Sequence, residues 1–377
     1  KAIMITSFRE FQRTFGGLCS ESYLGYSVSD FFNNGGSEAF IVRLFKESTD
    51  KDSPPSKTQI TIGDLKFEAA NEGSWGESLI VEIDFDIRQE SSDQYKLDKE
   101  KMFNLSVHES SVQNNKRKII NSESFTKLTL EDSKNRVDRI LELESKLLRY
   151  KAGEKLPSDL SSVKPLAQNG KVSYSIIESI DSLKKKIDRL SKDKNDEKKK
   201  LEKQLKALKS SDGESLDADC FIGPGKEDRN KGIYALEDIK PQIFNLMCIP
   251  PYNGEDVDTE VITKAAEYCE KKRAILLVDP PSSWKSVEDA INGLSAIGTN
   301  SANAALYFPR VIGPDPMNEY KSREFAPSGA IGGIIARTDV NKGVWKAPAG
   351  IEAVLQGVEL SIKLTDNENG QLNLLGI

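Results

Sequence analysis

Residues 274–281 read Ala274-Ile-Leu-Leu-Val-Asp-Pro-Pro281. Five apolar residues end on an aspartate and two prolines. Proline has no amide to donate and restricts the residue before it, so a regular element stops at Val278 or Asp279. A short run that is apolar on both faces suits a strand covered on both sides. Its surroundings repeat the signal. Ile243 to Ile249 (IFNLMCI) and Ala304 to Phe308 (AALYF) are two more such runs. Between the first two strands, a helix over 258–272 presents Ile262, Ala265, Ala266 and Cys269 on one side. Between the last two, Val287 to Ile297 suits another helix. Strand, helix, strand, helix, strand with short links predicts an α/β fold, α+β mixed, with a central mostly parallel sheet and helices on both faces.

Upstream, Ser7 can cap a short helix carrying Phe8, Phe11 and Phe15, which Gly16-Gly17 ends. A second helix is expected over 22–32, with Leu24, Val28 and Phe31 on one face. Asn33 to Gly36 (NNGG) then reads as a turn into a strand over 39–45. A phosphate-binding loop runs the other way, from strand through glycines to a helix N-terminus. From Gln59 to Val107 the texture is β, with Trp75 between glycines as a loop anchor.

Residues 134–210 change character. Val137, Ile140, Leu141, Leu147 and Leu148 suggest one amphipathic helix. From about Tyr174 to Lys209, Ile180, Leu183, Ile187, Leu190, Leu201, Leu205 and Leu208 form a stripe interrupted by SKDKNDEKKK. Such a stripe predicts an inserted helical hairpin or short coiled coil whose charged face is solvated. Further helices are expected over 327–337 and 349–360, before a β-like tail. The resulting division is 1–58 with 211–377 as the α/β body, 59–133 as a β-rich subdomain and 134–210 as the insertion.

The 377 residues carry a formal net charge of −6, which gives no global reason to expect nucleic-acid binding. No apolar run approaches the roughly 20 residues that span a bilayer. The four cysteines, Cys19, Cys220, Cys248 and Cys269, form no CxxC pair, and His108 is the one histidine. Neither a zinc site nor a disulfide framework is expected. The glycine clusters at 223–228 (GPGKED) and 328–336 (SGAIGGIIA) lack nucleotide-loop spacing. Asp279 is the one carboxylate at the edge of a predicted strand. Ser282 and Ser283 follow it, Ser283 as a cap for the next helix. No catalytic, cofactor-binding or metal-binding residue and no cofactor is assigned.

Several stretches, in order, resemble the contractile tail sheath protein family of bacteriophages, R-type pyocins and extracellular contractile injection systems. They are SFREFQRTFGG (7–17), SYLGYSVSDFFNNGGSEAFIVRL (22–44), EGSWGESLIVEI (72–83) and ESFTKLTL (123–130). After residue 210 come SDG (211–213), KGIYALEDI (231–239), FNLMCIPPYN (244–253) and AILLVDPP (274–281). AALYFPRVIGPDP (304–316), APSGAIGGIIARTD (326–339) and NKGVWKAPAG (341–350) follow. The resemblance implies a structural subunit that polymerises helically around an inner tube and contracts to drive it through a target envelope. Its implied partners are other copies of itself, the inner tube, baseplate and tail-terminator proteins, with no direct nucleic-acid contact and no membrane insertion. Synthesis would be in the bacterial cytoplasm and assembly in a phage tail or phage-like particle. The chain starts at Lys1 and ends at LNLLGI, so it is also expected to be a fragment without the family's terminal arms. Two other classes stay open: an α/β enzyme with a site near Asp279, and a coiled-coil adaptor.

Overall fold

The computed structural model describes residues 1–20, 22–50, 53–87, 99–113, 116–190 and 195–377. The chain divides into two compact units, one of residues 1–46 with 215–377 and the other of residues 47–214.

The first unit opens with strand β1 (Ile3–Ile5), helices α1 (Phe8–Phe15) and α2 (Tyr23–Asn33), and strand β2 (Ala39–Ile41), which pairs antiparallel with β1. Ser7 caps α1 as its position suggests, its hydroxyl accepting from the Glu10 amide, and Gly16 closes the helix at φ +94°. Ile5, Phe11, Val28 and Ile41 form a small core. The NNGG segment is a turn: the Asn34 amide donates to Asp30 O, the Gly36 amide to Phe31 O, and Gly35 takes φ +101°. The strand after it is shorter than 39–45.

The second unit contains β3 (Gln59–Ile62), β4 (Leu65–Ala69), β5 (Leu79–Asp84), β6 (Met102–Gln113) and β7 (Lys116–Thr129). Helix α3 (Val137–Glu144), β8 (Leu148–Tyr150), β9 (Lys171–Ser175), α4 (Ile176–Arg189) and α5 (Asn195–Leu208) follow. The strands form two sheets, ordered β3-β4-β8 and β7-β6-β5-β9. Strict alternation in β4 and β5 turns Leu65, Phe67, Ala69, Leu79, Val81 and Ile83 into one core. Each large side chain so buried contributes about 1.5–3 kcal/mol.

This packing redraws the boundary at residue 134. β8 pairs with β4 and β9 with β5, while Val137, Leu141, Leu147 and Leu148 enter the same core as the 59–133 strands. Leu147 and Leu148 do not continue α3. Ser145 turns extended there, and its hydroxyl accepts from both of their amides. The helical hairpin is confined to α4 and α5, which pack together. Ile176 and Ile180 anchor it in the core, with Leu205 and Leu208 against the same cluster.

The chain then returns to the first unit through α6 (Ala218–Ile222), β10 (Leu246–Cys248), α7 (Thr259–Lys272), β11 (Ile275–Val278), α8 (Val287–Gly293) and β12 (Ala304–Leu306). β10, β11 and β12 form a parallel sheet of three strands. Side chains alternate across it. Met247, Leu276 and Val278 join Val261, Ala265 and Cys269 of α7 on one face. A hairpin of β13 (Val311–Asp315) and β14 (Lys321–Phe325) leads to helix α9 (Ser328–Lys342). α9 covers the other face, where Gly332 approaches Leu277 and Cys248.

The expectations for the last thirty residues are reversed. Residues 349–360 are not helical: Gly350 and Gly357 sit at φ +84° and +75°, and only β15 (Glu359–Leu360) is regular, paired with β13. The tail is helix α10 (Asp366–Leu375), not strand. Thr365 and Glu368 form a reciprocal capping box there, a local signal stronger than the apolar run LNLLGI.

Candidate functional site

The carboxyl edge of the parallel sheet is where an α/β protein usually holds a ligand. Here β11 delivers Asp279 into a largely buried position. Its two carboxylate oxygens accept from the Ser328 amide and the Ser328 hydroxyl, each at 2.8 Å. Asp279 therefore ties β11 to the start of α9 and supplies the acceptor that Pro327, at the N-cap position, cannot. Burial raises the carboxyl to about 6, against the pull of the Ser328 bonds and Arg310.

Arg310 is only 2% exposed. Its Nη1 donates to the carbonyls of Glu255 (3.1 Å) and Pro280 (3.2 Å). Its Nε lies 3.2 Å from Glu324 Oε1 as an ion pair without hydrogen-bond alignment, and Nη2 has no hydrogen-bond partner among the described residues. Ser282 donates through its amide (2.6 Å) and hydroxyl (2.8 Å) to Asp256. Ser283 does not cap the next helix; Ser286 does, accepting from the Asp289 amide. Beside Asp279 lies a cavity of about 60 Å³, lined by Pro251, Val257, Pro281, Asp256, Asp279 and Arg310 among others. That volume holds a few waters and falls well below the roughly 300 Å³ of a small-molecule site. Serine and aspartate at this edge are used to fasten loops.

The other singled-out residues have local uses. His108 lies between Ser122 (Nδ1 to Oγ, 2.8 Å) and Glu82 (Nε2 to Oε2, 3.4 Å), which is a serine–histidine–acid line. Glu82, however, is shared with Lys171, and Ser122 faces His108 across the β6–β7 ladder. The Ser122 amide, which acyl transfer could use to hold an oxyanion, is already taken by Asn121 Oδ1 at 3.0 Å. Trp75 donates its indole N–H to Glu72 O at 3.0 Å and packs against the core of its unit, as a loop anchor does. Gly225 and Gly232 serve a turn, with Gly232 seated against the carbonyl of Phe221. Gly329 and Gly333 let α9 approach α2: an added Cβ would lie 2.3 Å from Ser27 O and Phe31 O respectively. Burial pushes the thiols of Cys248 and Cys269 up to about 12. Among the described residues, no helix is long and apolar enough to cross a membrane.

One cluster had no sequence signal. Tyr26 donates to Asp315 at 2.8 Å, Arg323 pairs with Asp315 at 3.2 Å, and the Arg323 guanidinium lies 4.7 Å from the centre of the Tyr23 ring. Tyr23 and Arg323, at the extremes, are 300 positions apart, and only the fold joins them.

No family model matches the chain, and no curated protein matches it. Its neighbours among solved structures include contractile tail sheath proteins and the baseplate of the anti-feeding prophage. A sheath tail protein from Listeria innocua aligns over 100% of this chain and 60% of its own, at 10% identity and a TM-score of 0.49. The sheath of an extracellular contractile injection system, PVC, in its contracted state aligns over 38% of this chain and 37% of its own, at 26% identity and a TM-score of 0.29. The contracted helical sheath of the anti-feeding prophage aligns over 40% and 39%, at 29% identity and a TM-score of 0.28. The chain thus spans between about one third and three fifths of the length of these structures.

Proposed function

We propose that the chain is a structural subunit of a contractile sheath. In this reading, identical copies assemble helically around an inner tube on a baseplate, and a rearrangement of their contacts drives the tube forward. The supporting observation is where most of the family-like stretches fall. While 72–83, 123–130 and 211–213 belong to the second unit, residues 7–17, 22–44, 231–239, 244–253, 274–281, 304–316, 326–339 and 341–350 are dispersed in sequence yet lie in one compact unit. There α2, the parallel sheet and α9 interlock through Gly329, Gly333 and the Asp279–Ser328 tie.

Such a body suits a mechanical part that moves as a unit, because energy stored in subunit contacts has to reach the tube without being lost in internal deformation. The protein would act by assembly and not by covalent catalysis. It would be made in the bacterial cytoplasm and incorporated into a phage tail or phage-like particle. Negative-stain electron microscopy of the purified protein, alone and with tube and baseplate components, tests this. Hollow, helically striated cylinders are expected. Monomers that persist in the presence of tube and baseplate would refute the reading.

A further inference from the structure

The end of α9 and the loop after it carry exposed apolar side chains, and the chain is tied down just past Ile351. Trp345 is 84% exposed and Ile351 94%, with Val340 and Val344 close to 80%. Arg337 Nη2 donates to the carbonyls of Glu352 (3.0 Å) and Val354 (3.3 Å), and the Gln356 amide donates to Asn34 Oδ1 at 3.0 Å. Covering these four side chains would remove on the order of 500 Å² of apolar surface from water. That approaches the roughly 800 Å² that each partner contributes to a standard interface. An exposed tryptophan among aliphatic residues has the composition of an interface centre.

Charge indicates what covers it. Residues 340–351 contain Lys346 and Lys342, the latter paired with Glu352 at 3.3 Å, and no acid, whereas residues 251–260 contain Glu255, Asp256, Asp258 and Glu260 and no base. The acidic stretch borders the cavity beside Asp279, whose lining includes Pro251, Val257 and Pro281. Arg310 lines the same cavity with Nη2 unpartnered, a donor that an entering carbonyl would satisfy.

We propose that the apolar segment 340–351 of one copy, the end of α9 and the loop after it, docks with its Lys346 on the acidic, proline-lined segment 251–260 of a second copy. The two surfaces differ, so the contact is head-to-tail and propagates into a helix instead of closing a dimer. This inference rests on the sheath reading and names one of its contacts.

The test replaces Trp345 with the photo-crosslinking residue p-benzoylphenylalanine in a mixture of isotopically light and heavy protein. Peptides joined between light and heavy copies are then identified by mass spectrometry. Cross-links into 251–260 of the other copy are expected. A companion measurement follows self-association by sedimentation velocity. Lys346→Glu should weaken it about tenfold, and Glu260→Lys combined with it should restore most of the loss. Cross-links elsewhere, no self-association at any attainable concentration, or no rescue by the double variant would overturn the proposal. Cylinders with cross-links elsewhere would sink this contact and leave the sheath reading standing. Cross-links into 251–260 without cylinders in the presence of tube and baseplate would do the reverse.

Discussion

Asp279 and Ser328 are joined by two hydrogen bonds of 2.8 Å, one to the backbone amide and one to the hydroxyl. The pair fastens the end of β11 to the first turn of α9, so the covering helix is fixed to the sheet at its carboxyl edge. Its carboxylate is also the buried acid an enzyme would use at that position.

The Asp279 carboxyl titrates at about 6 in the folded chain, above its ordinary 3.8, because burial disfavours the charge. Between those values the folded state holds the extra proton, so this group's contribution to stability falls as pH rises through the window. The displacement corresponds to about 3 kcal/mol. Asp30, also raised to about 6 by burial, slopes the same way. Asp279→Asn keeps an acceptor for the Ser328 amide and removes the charge. Urea unfolding at pH 5 and pH 8 should show a shallower pH dependence than wild type, with no loss at pH 8. An unchanged slope would refute this account of the buried carboxyl.

Gly333 is one of two tight points of the α2–α9 crossing, where a Cβ would meet Phe31 O at 2.3 Å and Asn34 Cβ at 2.9 Å. Gly333→Ala should destabilise the first unit by about 1–3 kcal/mol through overpacking. Gly370, in α10 with nothing within 4 Å of its would-be Cβ, supplies the control. Gly370→Ala should stabilise by about 0.5–1 kcal/mol. Denaturant midpoints for the two variants should move in opposite directions.

Removing residues 134–210 takes β8, β9 and α3 out of the second unit's core, and that unit should fail to fold. Replacing only 186–201 with a short glycine-rich turn spares Ile176, Ile180, Leu205 and Leu208. Circular dichroism on heating should show one cooperative transition lost in the long deletion and retained in the short one.

The capping box of α10 is exposed and local. Thr365→Ala removes the acceptor for the Glu368 amide and should cost about 1 kcal/mol. Faster amide exchange confined to residues 366–370 would show it. Protection that does not change would mean the box contributes nothing to this helix.

Much of the first unit was legible in the chain. Ser7, Gly16, NNGG and the three apolar runs around Val278 act through contacts a few residues long, and local chemistry decides them. The same reasoning missed the 349–377 region. The apolar spacing of AGIEAVLQGVEL suggests a helix, but glycines at positive φ and the pairing of β15 with β13 override it.

The sequence alone determined the order of elements in the parallel sheet, the turn at NNGG and the lack of nucleotide-loop spacing, because each depends on neighbours along the chain. Tertiary structure decided that 137–175 belongs to a β core, since β8 and β9 are too short to announce themselves and exist only through their partners β4 and β5. It also decided what Asp279 does. Position at a strand end marks a carboxylate as a candidate, but only the approach of Ser328, 49 residues away, turns it into a helix fastening.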